Sequence, residues 1–417
     1  MKKIIKKSFC ALLIVLSLVL TFAFSACGQE VVIKETGDTP DKYELSMYYG
    51  DTIDLIGSKV TFESGLNTVV KYDKTAQTVT AVSTGTVKGK ADGAEFIIEV
   101  KAHPVDIMLF AGQSNMVGSP NNAEADTVIP VAEGHGFEYK AKTGSDSKGW
   151  FGEVPALFGN DNYIHVNSGA SKVKGSLAPA FMESYYLETG VPLIGVRASQ
   201  GGKKIELFME GGEYHNNIKK GLAECVERTA TLENYELRNI YMAWCQGESN
   251  ASPAENPDSV TLEDGKYDFT GYKNQLKELY NSLKVIKNTK GETIGEIEKC
   301  FVISISEYSN AGTDYGSGHM NSEEKNPDKV AMNEAQAELC AQEEDFVFVS
   351  RKLTNVPSSL RQDPHFHQEV YNVCGWDAGI NTAYYLETGN EPECESFVAG
   401  EEEDVCGRYG ITCKYTA

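Results

Sequence analysis

The sequence predicts an α/β protein: a doubly wound parallel sheet with helices on both faces, preceded by a small β-sandwich. Three observations predict it. Five continuous apolar runs, Val105–Phe110, Leu193–Ala198, Ile240–Trp244, Phe301–Ile305 and Phe346–Ser350, have the length of buried strands. Between and after them lie helix-like stretches at about Ala178–Glu188, Asn216–Thr231, Gly271–Lys287, Pro327–Ala341 and Gln368–Glu387. Strands alternating with helices in this way read as a parallel sheet covered on both faces. From about Tyr43 to Ala102 the texture differs. Short alternating runs such as Thr78–Val82 and Glu95–Val100 are punctuated by Asp, Asn and Gly and show no helical period, which reads as a sandwich.

The 417 residues exceed one typical domain. The expected division is a targeting segment 1–27, a linker 28–42, the sandwich 43–103, the α/β domain 104–387 and a cysteine-containing extension 388–417. Pro104 marks the change of texture, and the stretch Pro120–Ser176, rich in Gly, Asn, Asp and Lys, reads as an irregular insertion beside the cleft. At the N-terminus Lys2, Lys3, Lys6 and Lys7 precede an apolar run from Ala11 to Phe24 and then small residues. That is the pattern of a secretory signal, and the run is short for a spanning helix. Phe24-Ser25-Ala26-Cys27 resembles a bacterial lipobox, which implies lipidation at Cys27 and a place on the outer face of the cell membrane, or secretion. The lipid anchor is the expected membrane partner. A formal net charge of −22 with no basic cluster repels nucleic acid and anionic headgroups, so nucleic acid is discounted as a partner.

Ten cysteines include Cys10 and Cys27 in the signal. In an exported chain, Cys374, Cys394, Cys406 and Cys413 suggest a C-terminal disulfide staple, whereas Cys225, Cys245, Cys300 and Cys340 sit in apolar runs as buried thiols. CxxC pairs are absent, and no metal is expected.

In a sheet of this kind ligands bind at the carboxyl ends of strands. Three polar segments fall there. In Gly112-Gln-Ser-Asn-Met-Val-Gly118, Ser114 follows the first strand at a turn that can raise its hydroxyl above the sheet and face an oxyanion with helix N-terminal amides. Read alone, a Ser in this setting is more often a helix cap than a nucleophile. In Ser199-Gln-Gly-Gly-Lys-Lys-Ile205, Gly201 and Gly202 let backbone N–H groups approach a ligand. In Trp244-Cys-Gln-Gly-Glu-Ser-Asn250, Gln246 carries an amide able to donate to an oxyanion, and Glu248 either orients neighbours or pairs with Arg197 or a Lys. A serine nucleophile needs a base. The segment Arg361-Gln-Asp-Pro-His-Phe-His367 offers His365 and His367, with Asp363 two residues before His365 to fix its tautomer. A two-histidine metal site there has only Asp363 as an extra ligand.

Taken together, the segments resemble the sequence blocks of the SGNH hydrolase superfamily, and more narrowly its branch of sialate O-acetylesterases and carbohydrate acetylxylan esterases. Ser114 matches the nucleophile of a GQSNM block. Gly201 to Phe208 fits a GG[TS]xI block, and Trp244 to Ser249 fits W-x-QGES. His365-Phe366 fits a D-x-x-H-[FY] block, and Gly375, ten residues on, selects His365 over His367. The resemblance spans roughly 105–387 and implies a flavodoxin-like esterase domain. It implies a catalytic triad of Ser114, His365 and Asp363, and an oxyanion hole made by the Ser114 and Gly201 amides with the Gln246 side chain. The implied partner is an acetylated carbohydrate such as sialic acid or xylan, contacted by Gln113, Asn115, Gly202, Lys203 and Glu248, with no cofactor; Trp150 and Tyr308 are further candidates for lining the cleft. Two departures stand out: Gln362, not Asp363, holds the family's Asp position, and Lys203 replaces Thr or Ser. The preceding region, around Tyr72–Val87, resembles bacterial Ig-like domains. The competing readings are a lipase-like or aryl esterase and a non-catalytic glycan-binding lipoprotein.

Overall fold

A computed structural model describes residues 42–54, 59–91, 94–118, 127–139, 158–159, 175–308, 324–362 and 365–416. Cys27, Trp150 and Asp363 lie outside the described residues. The chain divides into two compact units, Met1–His103 and Pro104–Ala417.

In the first unit, period-two alternation produces strands β1 (Lys42–Tyr48), β2 (Thr52–Asp54), β3 (Val60–Ser64), β4 (Val70–Asp73), β5 (Thr78–Ala81), β6 (Gly85–Ala91) and β7 (Ala94–Lys101). They form a four-stranded sheet ordered β1-β7-β6-β3 and a three-stranded sheet ordered β2-β5-β4. All pairs are antiparallel except β1 with β7. On β7 the residues Phe96, Ile98 and Val100 point inward while Glu95 and Glu99 stay exposed. The inward set meets Val70, Val79 and Ala81 of the other sheet in one apolar cluster, so the two sheets close as a sandwich.

The second unit is an α/β domain. Its strands β8 (His103–Gly112), β9 (Gly136–Tyr139), β10 (Phe158–Gly159), β11 (Leu193–Ser199) and β12 (Tyr235–Cys245) are followed by two short pairs. These are β13 (Thr261–Glu263) with β14 (Lys266–Asp268), and β15 (Val285–Lys287) with β16 (Thr293–Glu296). Next come β17 (Cys300–Ile303), β18 (Phe346–Ser350) and the pair β19 (Arg361–Gln362) with β20 (His365–Phe366). The main sheet runs β10-β9-β11-β8-β12-β17-β18, six strands parallel and β10 antiparallel at one edge. The helices are α1 (Ser114–Val117), α2 (Ala178–Thr189), α3 (His215–Thr229), α4 (Thr270–Lys284), α5 (Pro327–Gln342), α6 (Gln368–Thr388) and α7 (Glu401–Gly407).

Side-chain alternation along β8 splits the core into two layers. Val105, Ile107, Leu109 and Ala111 face a cluster with Leu222 of α3, Leu276 of α4 and Met332 of α5. Met108 and Phe110 face Phe181 and Tyr185 of α2 and Val370 and Tyr371 of α6. Each fully buried large side chain contributes roughly 1.5–3 kcal/mol. Helices α2 and α6 approach closely because Gly375 and Gly379, one turn apart, present no side chain. A Cβ at these positions would stand 2.0 Å from the Leu177 carbonyl oxygen and 2.4 Å from that of Phe181. At the start of β8, Asp106 is fully buried, and Arg238, the Tyr185 hydroxyl and the Asn239 amide all donate to it. This satisfies a charge that would otherwise destabilise the interior.

Three expectations are corrected. The insertion 120–176 is not wholly irregular, because Gly136–Tyr139 joins the main sheet parallel to β11. The helix expected over 271–287 stops at Lys284, where β-branched Val285 and Ile286 turn extended and pair with β16. The C-terminal staple is absent: all eight described cysteines are free thiols, with Cys374 and Cys406 buried in the packing of α6 and α7.

Candidate active site

The first strand of the second unit lies in the middle of the sheet, between β11 on one side and β12 on the other. The chain moves first to the β11 side and later to the β12 side, so the carboxyl end of β8 is the topological switch point where such sheets open a crevice. Gly112 ends the strand there at φ +138°, and a Cβ on it would stand 2.1 Å from the Cys245 carbonyl oxygen. Glycine is required by both constraints. The turn is held on both flanks: Gln113 N–H donates to Cys245 O, and Gln200 N–H donates to Gly112 O, each at 2.9 Å.

Ser114 follows as the first residue of α1, a single turn. From Ala111 to Gly118 it alone is not buried. The turn beyond β11 passes beside it, and a Cβ built on Gly201 would lie 3.7 Å from the Ser114 Cβ. Gly202 is exposed, at φ +64°, with open space above it. Among the described residues no protein acceptor takes the amide N–H of Ser114 or of Gly201. The structure therefore brings together Ser114, Gly201 and Gly202.

Gln113, Asn115 and Glu248 are placed as scaffold, not as substrate contacts. Gln113 is buried, and its side-chain oxygen accepts from the N–H groups of Gly247 (3.4 Å) and Ser249 (3.2 Å). Asn115, also buried, donates to the Glu248 carboxylate at 2.7 Å and accepts from the Tyr371 hydroxyl at 2.8 Å. Burial pushes the Glu248 carboxyl above its ordinary range, opposed by the Asn115 hydrogen bond and the Lys329 charge. Glu248 is thus hydrogen-bonded to Asn115, with the Lys329 charge acting on it as well. The residues on both sides of Ser114 lock the loop after β12 to the end of β8.

Gln246 also departs from expectation. It is fully buried, and its amide nitrogen donates to Asn250 Oδ1 at 2.7 Å and to the Lys203 carbonyl at 3.2 Å. A primary amide has two hydrogens, and both are committed, so the side chain is no oxyanion donor in this arrangement. Instead it ties the turn holding Gly201, Gly202 and Lys203 to the end of β12. Tyr308, a candidate for lining the cleft, is buried with the Arg361 guanidinium 3.6 Å from its ring centre.

His365 is partly exposed on β20, paired with Gln362 of β19. The next residue, Phe366, is buried edge-on to Tyr371 with ring centres 6.0 Å apart. Tyr371 in turn reaches Asn115, which links the segment carrying His365 to the turn that carries Ser114. His367 is buried, and desolvation pushes its pKa down to about 4, leaving it neutral at physiological pH. Among the described residues no group of three or more His, Cys, Asp and Glu side chains is placed to hold a metal ion.

No family model matches the chain, and no curated protein matches it in sequence. Among solved structures the chain is similar to a protein from Arabidopsis thaliana, at 17% identity over 68% of this chain and 99% of that one, with a TM-score of 0.44. It is also similar to a carbohydrate acetylesterase from Xanthomonas citri, at 15% identity over 83% and 73% with a TM-score of 0.38. A third similarity is to NanS, at 10% identity over 70% and 99% with a TM-score of 0.43.

Sequence reasoning missed Tyr371 and the group around Gln246. Tyr272 donates to the Gln246 carbonyls and Gln336 donates to its backbone oxygen at 2.6 Å, both from helices far along the chain. The available signal was weak: Tyr371 sits among other polar residues at the start of α6, Gln368, Glu369 and Asn372, and Asn250 closes the same polar run as Gln246.

Proposed function

We propose that the protein is a serine esterase that removes O-acetyl groups from carbohydrate, with Ser114 as nucleophile and His365 as base. The observation that carries this reading is the isolation of Ser114. It is the one accessible side chain in a buried turn at the switch point, and beside it lie two backbone amides, those of Ser114 and Gly201, that find no acceptor among the described residues. The resemblance of four ordered blocks to carbohydrate acetylesterases supports the acetyl sugar as substrate. In this reading Ser114 Oγ attacks the acyl carbonyl while its proton passes to His365. The oxyanion is held by the Ser114 and Gly201 N–H groups. Collapse expels the sugar alkoxide, which takes the proton from His365. Water then attacks the acyl-enzyme, gives its proton to His365, and acetate leaves as Ser114 is restored. Asp363 orients the imidazole. Each oxyanion donor contributes on the order of 3 kcal/mol to the transition state. The same reading has the chain exported and anchored through Cys27.

The test uses residues 28–417 with p-nitrophenyl acetate, longer acyl esters, acetylated xylan and O-acetylated sialic acid. Ser114→Ala is expected to lower turnover by about a thousandfold or more while the fold is retained. Unchanged hydrolysis in that variant overturns the assignment. No hydrolysis of any ester by the parent protein favours glycan binding alone.

A further inference from the structure

The C-terminal tail returns to the segment that carries His365. His365 is partly exposed on β20, Phe366 after it is buried in the core, and His367 is the buried N-cap of α6, with extended backbone. The Tyr415 ring stacks flat on the His367 ring, with centres 3.5 Å apart and planes 13° from parallel. Two backbone hydrogen bonds set the tail in place. The buried Glu369 carboxylate accepts from Lys414 N–H at 2.9 Å and from Tyr415 N–H at 3.4 Å. One residue earlier, the Cys413 thiol donates to the Glu402 carbonyl at 3.2 Å, fastening the tail to α7.

We propose that the tail belongs to the active site and that Tyr415 is a positioning residue, whose stacked ring holds the His365–His367 strand in the orientation that aims His365. This inference rests on the reading of His365 as the base. The geometry favours it over a purely structural clamp on two grounds. The ring packs on His367, two residues from His365, and the strand between them is short, with two described residues, His365 and Phe366, paired to β19.

The experiment compares Tyr415→Ala, Tyr415→Phe and Glu369→Gln with the parent protein, with Ser114→Ala as control. Removing the ring is expected to lower kcat for p-nitrophenyl acetate about tenfold with KM little changed, as misplacement of a catalytic group does. It is also expected to move the acid limb of the pH profile, which reports His365. Tyr415→Phe keeps the ring and is expected to behave as the parent, and Glu369→Gln is expected to fall between them. Because Tyr415 is exposed, melting temperatures should stay close. In parallel, the His365 ring resonances are followed by NMR through a pH titration of the parent and Tyr415→Ala. Unchanged rates, pH profile and His365 resonances in Tyr415→Ala overturn the proposal. If Ser114→Ala remains active, the esterase reading at Ser114 fails. The NMR comparison then still decides whether the tail controls His365.

Discussion

The Asn115 side-chain amide donates to the Glu248 carboxylate at 2.7 Å, across 133 residues of sequence. This bond joins the turn that presents Ser114 to the loop that follows β12. Asn115→Ala removes it and also removes the acceptor of the Tyr371 hydroxyl. Leaving buried polar groups without partners destabilises by about 1–3 kcal/mol. Urea denaturation is expected to show that loss, and ester hydrolysis to fall about tenfold or more as the turn loosens. Tyr371→Phe removes a single hydroxyl and is expected to cost about 1 kcal/mol. Equal stability of Asn115→Ala and the parent would contradict the scaffold role.

Two glycines near Ser114 are expected to respond differently. Gly112→Ala meets both a positive φ and a carbonyl oxygen 2.1 Å away, so about 3 kcal/mol or more of stability is lost. Gly202→Ala, at φ +64° in open space, is expected to lose only about 1 kcal/mol. Parallel denaturation curves check the order, and the reverse order would be incompatible with the close approach of β8 and β12.

Asp377 on α6 provides a pH test remote from Ser114. Burial pushes its carboxyl up to about 6 from an ordinary 3.8, opposed by Ser350 and Lys352. The folded state therefore holds the proton more tightly than the unfolded chain. The corresponding stability is present below about pH 4 and is lost as pH rises through 6, at most about 3 kcal/mol. Asp377→Asn is expected to remove this fall, gaining stability relative to the parent between pH 4 and pH 7. A constant difference across that range, measured by denaturation, would count against it.

Thiol reactivity tests the cysteine arrangement. Cys394 and Cys413 are partly exposed and the other six described cysteines are buried. Burial pushes the Cys394 thiol up to about 12 and also raises Cys413. Since the thiolate is the reactive form, native alkylation at pH 8 is expected to be slow and confined at first to these two. Peptide mass mapping that finds Cys374 or Cys406 labelled early, or joined in a disulfide, would refute this.

The apolar runs at 105–110, 193–198, 240–244, 301–305 and 346–350 were legible because buried parallel strands need continuous hydrophobicity. Strand β9 was not, since Gly-Phe-Glu-Tyr in a polar insertion carries no such run and is recruited by its neighbour β11. The site motifs were legible where local chemistry shows: glycine at forced turns, and small polar residues just after strands. The roles of Gln113, Asn115, Gln246 and Glu248 were not. Whether an amide faces a cleft or a buried partner depends on residues such as Tyr371, Tyr272 and Gln336, whose proximity exists only after folding. The meeting of Tyr415 with His367 is of the same kind.

The hydrogen bond between Asn115 and Tyr371 spans 256 positions of the chain. A ribosome adding 5–20 residues per second needs roughly ten to fifty seconds to travel that distance. Throughout that interval the serine-bearing turn exists without the helix that braces it, and without the histidine strand. A chain cut short before β20 therefore carries Ser114 without the helix that braces its turn and without His365. The Ser114 turn is braced only once α6 has folded back onto the first strand of its domain.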